Sequence, residues 1–187
     1  GPVSFYVTND HGNSTALGRA AEEYLQLARS YVLYYDGRTF RKVAEALAYA
    51  NGINLSPDAQ SVYVAATVGQ KIYVYDRDSA TGSLSLRTTI EAGTGVDNIE
   101  IDQRGDLWIG SHPKLLTFVK HSKDPAVLSP SQVIRIAKKA ADQYEVTEIY
   151  MSAGKPLSAS SVAAVFEDTL LIGSVFDNRF LRCTLQK

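Results

Sequence analysis

The sequence predicts an all-β protein, part of a β-propeller, and three observations carry that reading. Apolar and polar residues alternate with period two over most of the chain, the pattern of half-buried strands. Four segments align without gaps: Phe5-Tyr-Val-Thr-Asn-Asp-His11, Val62-Tyr-Val-Ala-Ala-Thr-Val68, Leu107-Trp-Ile-Gly-Ser-His-Pro113 and Leu170-Leu-Ile-Gly-Ser-Val-Phe176. Their starts lie 57, 45 and 63 residues apart, and the middle spacing is that of a four-stranded propeller blade. At about 47 residues per blade, 187 residues make about four blades. An antiparallel sandwich of the same strands is the alternative, because period two alone does not separate the two.

In chain order, strands are expected at Phe5 to Thr8, Tyr31 to Tyr35, Phe40 to Ala46, Ile53 to Leu55, Ser61 to Ala66, Lys71 to Asp76 and Leu84 to Ile90. Further strands are expected at Ile99 to Ile101, Asp106 to Ser111, Leu115 to Lys120, Gln132 to Ala137, Glu145 to Met151, Val162 to Phe166, Thr169 to Gly173 and Phe180 to Leu185. Turn residues such as Ser56-Pro57-Asp58 and Gln103-Arg104-Gly105 separate them. One segment departs from period two. Thr15 to Arg29 places Leu17, Ala20, Ala21, Tyr24, Leu25 and Ala28 at helical spacing behind an Asn13/Ser14 cap candidate, so an inserted amphipathic helix is expected there.

The strands before three of the aligned segments also align: Asn51-Gly-Ile-Asn-Leu, Asp97-Asn-Ile-Glu-Ile and Ser160-Ser-Val-Ala-Ala each open polar and turn apolar. Read as inner blade strands, they put Asn51, Asp97, Asn98 and Ser160 at strand starts. The antiparallel neighbour then brings Asn9, Asp10, Ser111 and His112 at strand ends to the same rim. Singly, Asn51-Gly52 and Asp97-Asn98 also read as turn residues. As a set they supply amide and carboxylate oxygens without a Cys/His cluster, which suits a hard cation such as calcium better than zinc. Of the other imidazoles, His11 adjoins Asn9 and Asp10, and His121 is expected on a charged, solvated surface.

Composition narrows the partners. Nineteen Lys and Arg face twenty Asp and Glu, a net charge of -1, so nothing electrostatic points to nucleic acid. An apolar fraction of 45% excludes a disordered chain. No apolar run is long enough to span a bilayer, and the N-terminal residues lack a leader pattern. The single cysteine, Cys183, can form no disulfide within the chain. No nucleophile elbow, phosphate-cradling loop or His-Glu-x-x-His motif is present.

The strings Phe5 to His11, Tyr49-Ala-Asn-Gly-Ile-Asn-Leu-Ser-Pro-Asp58, Val96-Asp-Asn-Ile-Glu-Ile101, Gly105 to Pro113 and Leu170 to Phe176, with a Cys just before the end, closely resemble the paraoxonase family. The match runs from about Val3 to Leu185 and covers only the C-terminal portion of that family. The resemblance implies a six-bladed propeller, a hydrolase of lactones and aryl esters, and two calcium ions. It makes Asn9, Asn51, Asp97 and Asn98 ligands of the catalytic calcium and Asp10 a ligand of a structural one. It puts His112 near the substrate pocket and Tyr49 on the pocket wall, and pairs Cys183 with a cysteine outside this chain. The family's acidic ligand and its histidine base pair lie upstream of this chain, so an N-terminal portion of the same precursor is the implied partner. A secretory or extracellular setting is implied too.

Two departures stand out. Ser111 replaces a frequent cysteine, and the helix after His11 is less aromatic than the family's lipid-associating one, which makes membrane docking doubtful. Asn13-Ser14-Thr15 and Asn54-Leu55-Ser56 have the form of glycosylation acceptors. Two other functions fit the same architecture: a binding module with a purely structural calcium, and a propeller enzyme of the gluconolactonase or strictosidine-synthase kind.

Overall fold

A computed structural model describes residues 3–185; Gly1 and Pro2, which open the segment read for a leader, lie outside the described residues, as do Gln186 and Lys187. The chain divides into two compact units, residues 1–91 and 92–187.

The first unit holds two antiparallel sheets. One is ordered β1-β2-β3, from β1 (Phe5–Asn9), β2 (Ser30–Tyr35) and β3 (Phe40–Leu47), with α1 (Ala16–Tyr24) between β1 and β2. The other follows chain order through β4 (Ala50–Leu55), β5 (Ser61–Ala66), β6 (Lys71–Arg77) and β7 (Leu84–Glu91). Alternation sends Val32 and Leu47 from the first sheet and Val62, Val64 and Tyr75 from the second into one core. Each large apolar side chain buried there contributes about 1.5–3 kcal/mol. A polar contact fixes how the sheets meet, as the Tyr6 hydroxyl donates to the Gly82 carbonyl at 2.9 Å. Gly82 has φ +71° and a Cβ there would lie 2.3 Å from the Tyr34 ring, so only glycine fits.

The second unit repeats the plan. Its first sheet is β8 (Gly95–Ile101), β9 (Leu107–His112), β10 (Ser131–Ala140) and β11 (Gln143–Ser152), with α2 (Leu115–His121) after β9. Its second is β12 (Ser160–Phe166), β13 (Thr169–Ser174) and β14 (Leu181–Thr184). The shared core gathers Trp108, Val133, Leu157, Ala163, Leu170 and Ile172, with Cys183 packed against it. Within the chain Cys183 is a free, half-buried thiol. Buried serines stitch the two sheets, since Ser131 Oγ donates to Leu157 O at 2.6 Å and Ser160 Oγ accepts the Gln132 N–H at 2.9 Å. The four aligned segments are β1, β5, β9 and β13. The last three lie second in their sheets, while β1 is at the edge of its own.

Three expectations need correction. Leu115 to Lys120 is helix, not strand: Leu115, Phe118 and Val119 share a face at three- and four-residue spacing, but no side chain caps its start to announce it. His121 is consequently 2% exposed instead of solvated, with Nδ1 on the Val127 carbonyl at 2.8 Å. The inserted helix runs only from Ala16 to Tyr24 and is capped by Thr15, whose Oγ1 accepts the Gly18 N–H at 3.1 Å. Its apolar side chains face outward. Leu17, Tyr24 and Leu25 are exposed, whereas Glu22 is the residue it buries.

Candidate functional site

The polar openings seen in sequence lie in β4, β8 and β12, and each of these strands breaks register at that point. Pairing with the neighbour shifts between Ala50 and Ile53, between Val96 and Ile99, and between Ser160 and Val162. An irregularity of this kind bends a strand and re-aims its side chains. Asn51-Gly52, Asp97-Asn98 and Ser161 occupy the three irregular positions. Immediately before β4 and β12, Tyr49 and Ala159 take left-handed φ of 62° and 55°, a strained conformation for side chains of any bulk.

In the first unit Thr8, Asn9, Asp10, Tyr49, Ala50 and Asn51 line one cleft of about 320 Å³. The end of β1 and the start of β4 meet there, tied by the Thr8 hydroxyl donating to the Asn51 carbonyl at 2.6 Å. The Asn9 amide nitrogen donates to the His11 carbonyl, and the Asn51 amide nitrogen to Thr67 Oγ1 at 3.2 Å. His11 holds Asp10 Oδ1 at 3.0 Å through Nδ1 and Glu23 Oε1 at 2.9 Å through Nε2. Its ring meets Tyr49 edge-on, with centroids 5.0 Å apart.

In the second unit Asp97 and His112 are 5% and 2% exposed. His112 Nε2 faces Asp97 Oδ2 at 3.2 Å, and the Phe118 ring of α2 stacks on the imidazole at 3.9 Å. Asn98 donates its amide nitrogen to Asp97 Oδ1 and to the Ser161 carbonyl, each at 3.2 Å. The buried His112 Nδ1 and Ser111 Oγ have no hydrogen-bond partner among the described residues.

The donor chemistry is consistent across both units. Asn9, Asn51 and Asn98 each commit their N–H₂ group to an internal acceptor, which leaves Oδ1 as the acceptor end of the planar amide. Amide oxygens and carboxylates such as that of Asp97 are the donor types a hard cation such as calcium takes. Among the described residues no three His, Cys, Asp or Glu side chains gather as a metal group. Sequence reading missed the supporting residues Thr8, Thr67, Phe118, Glu22 and Glu23. Only Phe118 carried a signal, its helical spacing from Leu115.

The family model described as Arylesterase matches residues 1–185. The chain is 41% identical over 187 residues to serum paraoxonase/arylesterase 1 of Homo sapiens and 38% identical over 189 residues to serum paraoxonase/arylesterase 2 of the same species. Each match covers 99% of this chain and 51% of the relative, so the chain spans about half the length of the curated relatives it matches. Among solved structures, a luciferin-regenerating enzyme aligns with a TM-score of 0.56 at 17% identity, over 79% of this chain and 44% of that one. The calcium-binding protein regucalcin from Agrobacterium tumefaciens aligns with a TM-score of 0.53 at 17% identity, over 86% and 49%. These two similarities concern the fold, and they favour propeller over sandwich.

Proposed function

The chain belongs to the arylesterase family, and from that premise we propose that it forms part of a calcium-dependent hydrolase of lactones and aryl esters. The half of the relatives' length that it does not span completes the propeller in this reading. The observation that supports the proposal is that Asn9, Asn51 and Asn98 each tie their amide nitrogen to a protein acceptor, which leaves the amide oxygen as the group available to a cation in this reading. In this reading Asn9, Asn51, Asp97 and Asn98 would serve as calcium ligands, and Asp10 would serve a structural ion. Calcium, when bound, polarises the ester carbonyl and stabilises the negative charge that develops on its oxygen.

The remaining roles fall to side chains of this protein. Tyr49, on the wall of the first unit's cleft, borders the substrate. His112 is sealed beneath Phe118 and faces Asp97, which makes it a positioning residue that orients the carboxylate. Proton abstraction from water, a contribution of about 10²–10⁴ in rate, is assigned to a histidine of the portion this chain does not span. Cys183 is available for a disulfide to that portion, in keeping with a secretory setting. No described helix is long and apolar enough to cross a membrane.

The test uses the full-length protein. Hydrolysis of phenyl acetate and of a γ-lactone should stop on chelation and return with calcium, and Asp97→Ala should lose calcium affinity and hydrolysis together. Calcium binding without hydrolysis of either substrate would instead favour a binding module, and retention of both properties in Asp97→Ala would remove the assignment.

A further inference from the structure

Helix α1 is only nine residues long, and an isolated helix of that length is marginal in water. Its apolar side chains do not anchor it, because Leu17 is 83% exposed and Tyr24 and Leu25 are also exposed. What it buries is a carboxylate. Burying a charge is unfavourable unless hydrogen bonds compensate, and at Glu22 they do: Oε2 accepts the Gly12 N–H at 2.9 Å, and Oε1 accepts the Asn13 N–H at 2.9 Å and the Asn13 side-chain amide. Burial pushes the Glu22 carboxyl up, but these donors, with the His11 imidazole nearby, outweigh it and hold the group below the usual glutamate range.

The next residue continues the pattern. Glu23 Oε1 lies 2.9 Å from His11 Nε2, and the other face of the same imidazole system reaches Asp10 Oδ1 and Tyr49. Adjacent acids on α1 therefore grip four consecutive residues, Asp10 to Asn13, directly or through His11. That stretch follows Asn9, whose side-chain amide itself donates to the His11 carbonyl. Gly12 lies tight against the chain leaving α1, where an added Cβ would be 2.6 Å from the Arg29 carbonyl oxygen. Moving α1 would move the loop, and with it the geometry of Asn9, Asp10 and Tyr49.

We propose that α1 is a clamp on the ligand-bearing loop, with Glu22 and Glu23 as positioning residues that set cation affinity at Asn9 and Asp10 without touching ion or substrate. This rests on the reading of Asn9 and Asp10 as calcium ligands. The test combines amide hydrogen exchange with calcium titration by calorimetry on the full-length protein. Glu22→Ala should speed exchange at Gly12 and Asn13 about tenfold or more and weaken calcium binding, with exchange in β5 and β6 unchanged as the control for folding. Glu22→Gln, which keeps one acceptor oxygen, should fall between. Gly12→Ala, which leaves both glutamates in place but forces the loop off Arg29, should weaken calcium binding in the same direction. Unchanged exchange at Gly12 and Asn13 in Glu22→Ala overturns the clamp, and so does a loop that opens while calcium affinity stays constant. A wild-type protein that takes up no calcium would sink the ligand reading instead, and the exchange data would still decide whether the clamp exists.

Discussion

His112 Nε2 lies 3.2 Å from Asp97 Oδ2, and the two side chains are 2% and 8% exposed. The carboxylate is out of water with few donors: this imidazole and the Asn98 amide. The Phe118 ring, stacked on the imidazole, keeps it from turning away. Removing the imidazole leaves a buried acceptor short of a donor and opens a void. His112→Ala is expected to cost about 3 kcal/mol, read as a lower urea midpoint with unchanged slope. Phe118→Ala should cost a similar amount through the cavity alone, and should also release the His112 ring signals from their upfield ring-current shift in NMR. An unshifted midpoint in His112→Ala would remove the pairing from the account of stability.

Gly110 is where β9 passes closest to β12. A Cβ there would lie 2.3 Å from the carbonyl carbon of Ser161 and 2.4 Å from the Val162 nitrogen, and neither backbone atom can yield as a flexible side chain would. Gly110→Ala should therefore reach the upper end of overpacking costs, about 3 kcal/mol. The same shift displaces Ser161, whose carbonyl accepts from Asn98, so loss of stability and loss of calcium affinity should appear together. A variant as stable as wild type by thermal unfolding would contradict the close approach.

Asn98→Asp separates ligand chemistry from hydrogen bonding. The substitution offers another anionic oxygen but removes both donated bonds, and it puts a charge beside Asp97. Without calcium the variant should be less stable by about 1–3 kcal/mol, and added calcium should shrink the deficit. A deficit of constant size across a calcium titration would argue against Asn98 as a ligand.

Acid should reach folded Asp102 only below the ordinary aspartate range. Burial pushes its carboxyl up, but the Trp108 indole N–H at 3.1 Å, the backbone N–H groups of Asp106 and Arg104, and the Arg104 charge bring it below the usual aspartate value. The folded pKa lies below the unfolded one, so the unfolded chain binds the proton first and the contribution to stability is present above the ordinary carboxylate range. It is lost as pH falls through the depressed value. Trp108 is the only tryptophan in the chain, and its fluorescence should report this acid limb directly. Asp102→Asn should flatten the limb; an unchanged profile would mean another carboxylate sets it.

The strand positions of the candidate residues were legible because blades repeat. Aligned strings put Asn51, Asp97 and Ser160 at equivalent strand starts, and β4, β8 and β12 carry them there. Asn9 and Asn51 line one cleft although β1 and β4 belong to different sheets. Helix α2 was not legible: Leu-Leu-Thr-Phe-Val-Lys is apolar enough for either period, and Lys114 at its start offers no cap. Which face of α1 is buried was not legible, because apolar spacing is a local property, whereas the burial of Glu22 depends on the backbone N–H groups of Gly12 and Asn13.

The amino-acid order by itself determined the strand segmentation, the repeat and the oxygen-rich character of the rim, since these depend on side-chain polarity and spacing along the chain. Only the tertiary structure decided which partners those side chains take. That choice rests on where each amide nitrogen finds an acceptor, on the register breaks that turn Asn51 and Asp97, and on the ring of Phe118 closing over His112, all of them contacts between residues distant in sequence or set by local backbone geometry.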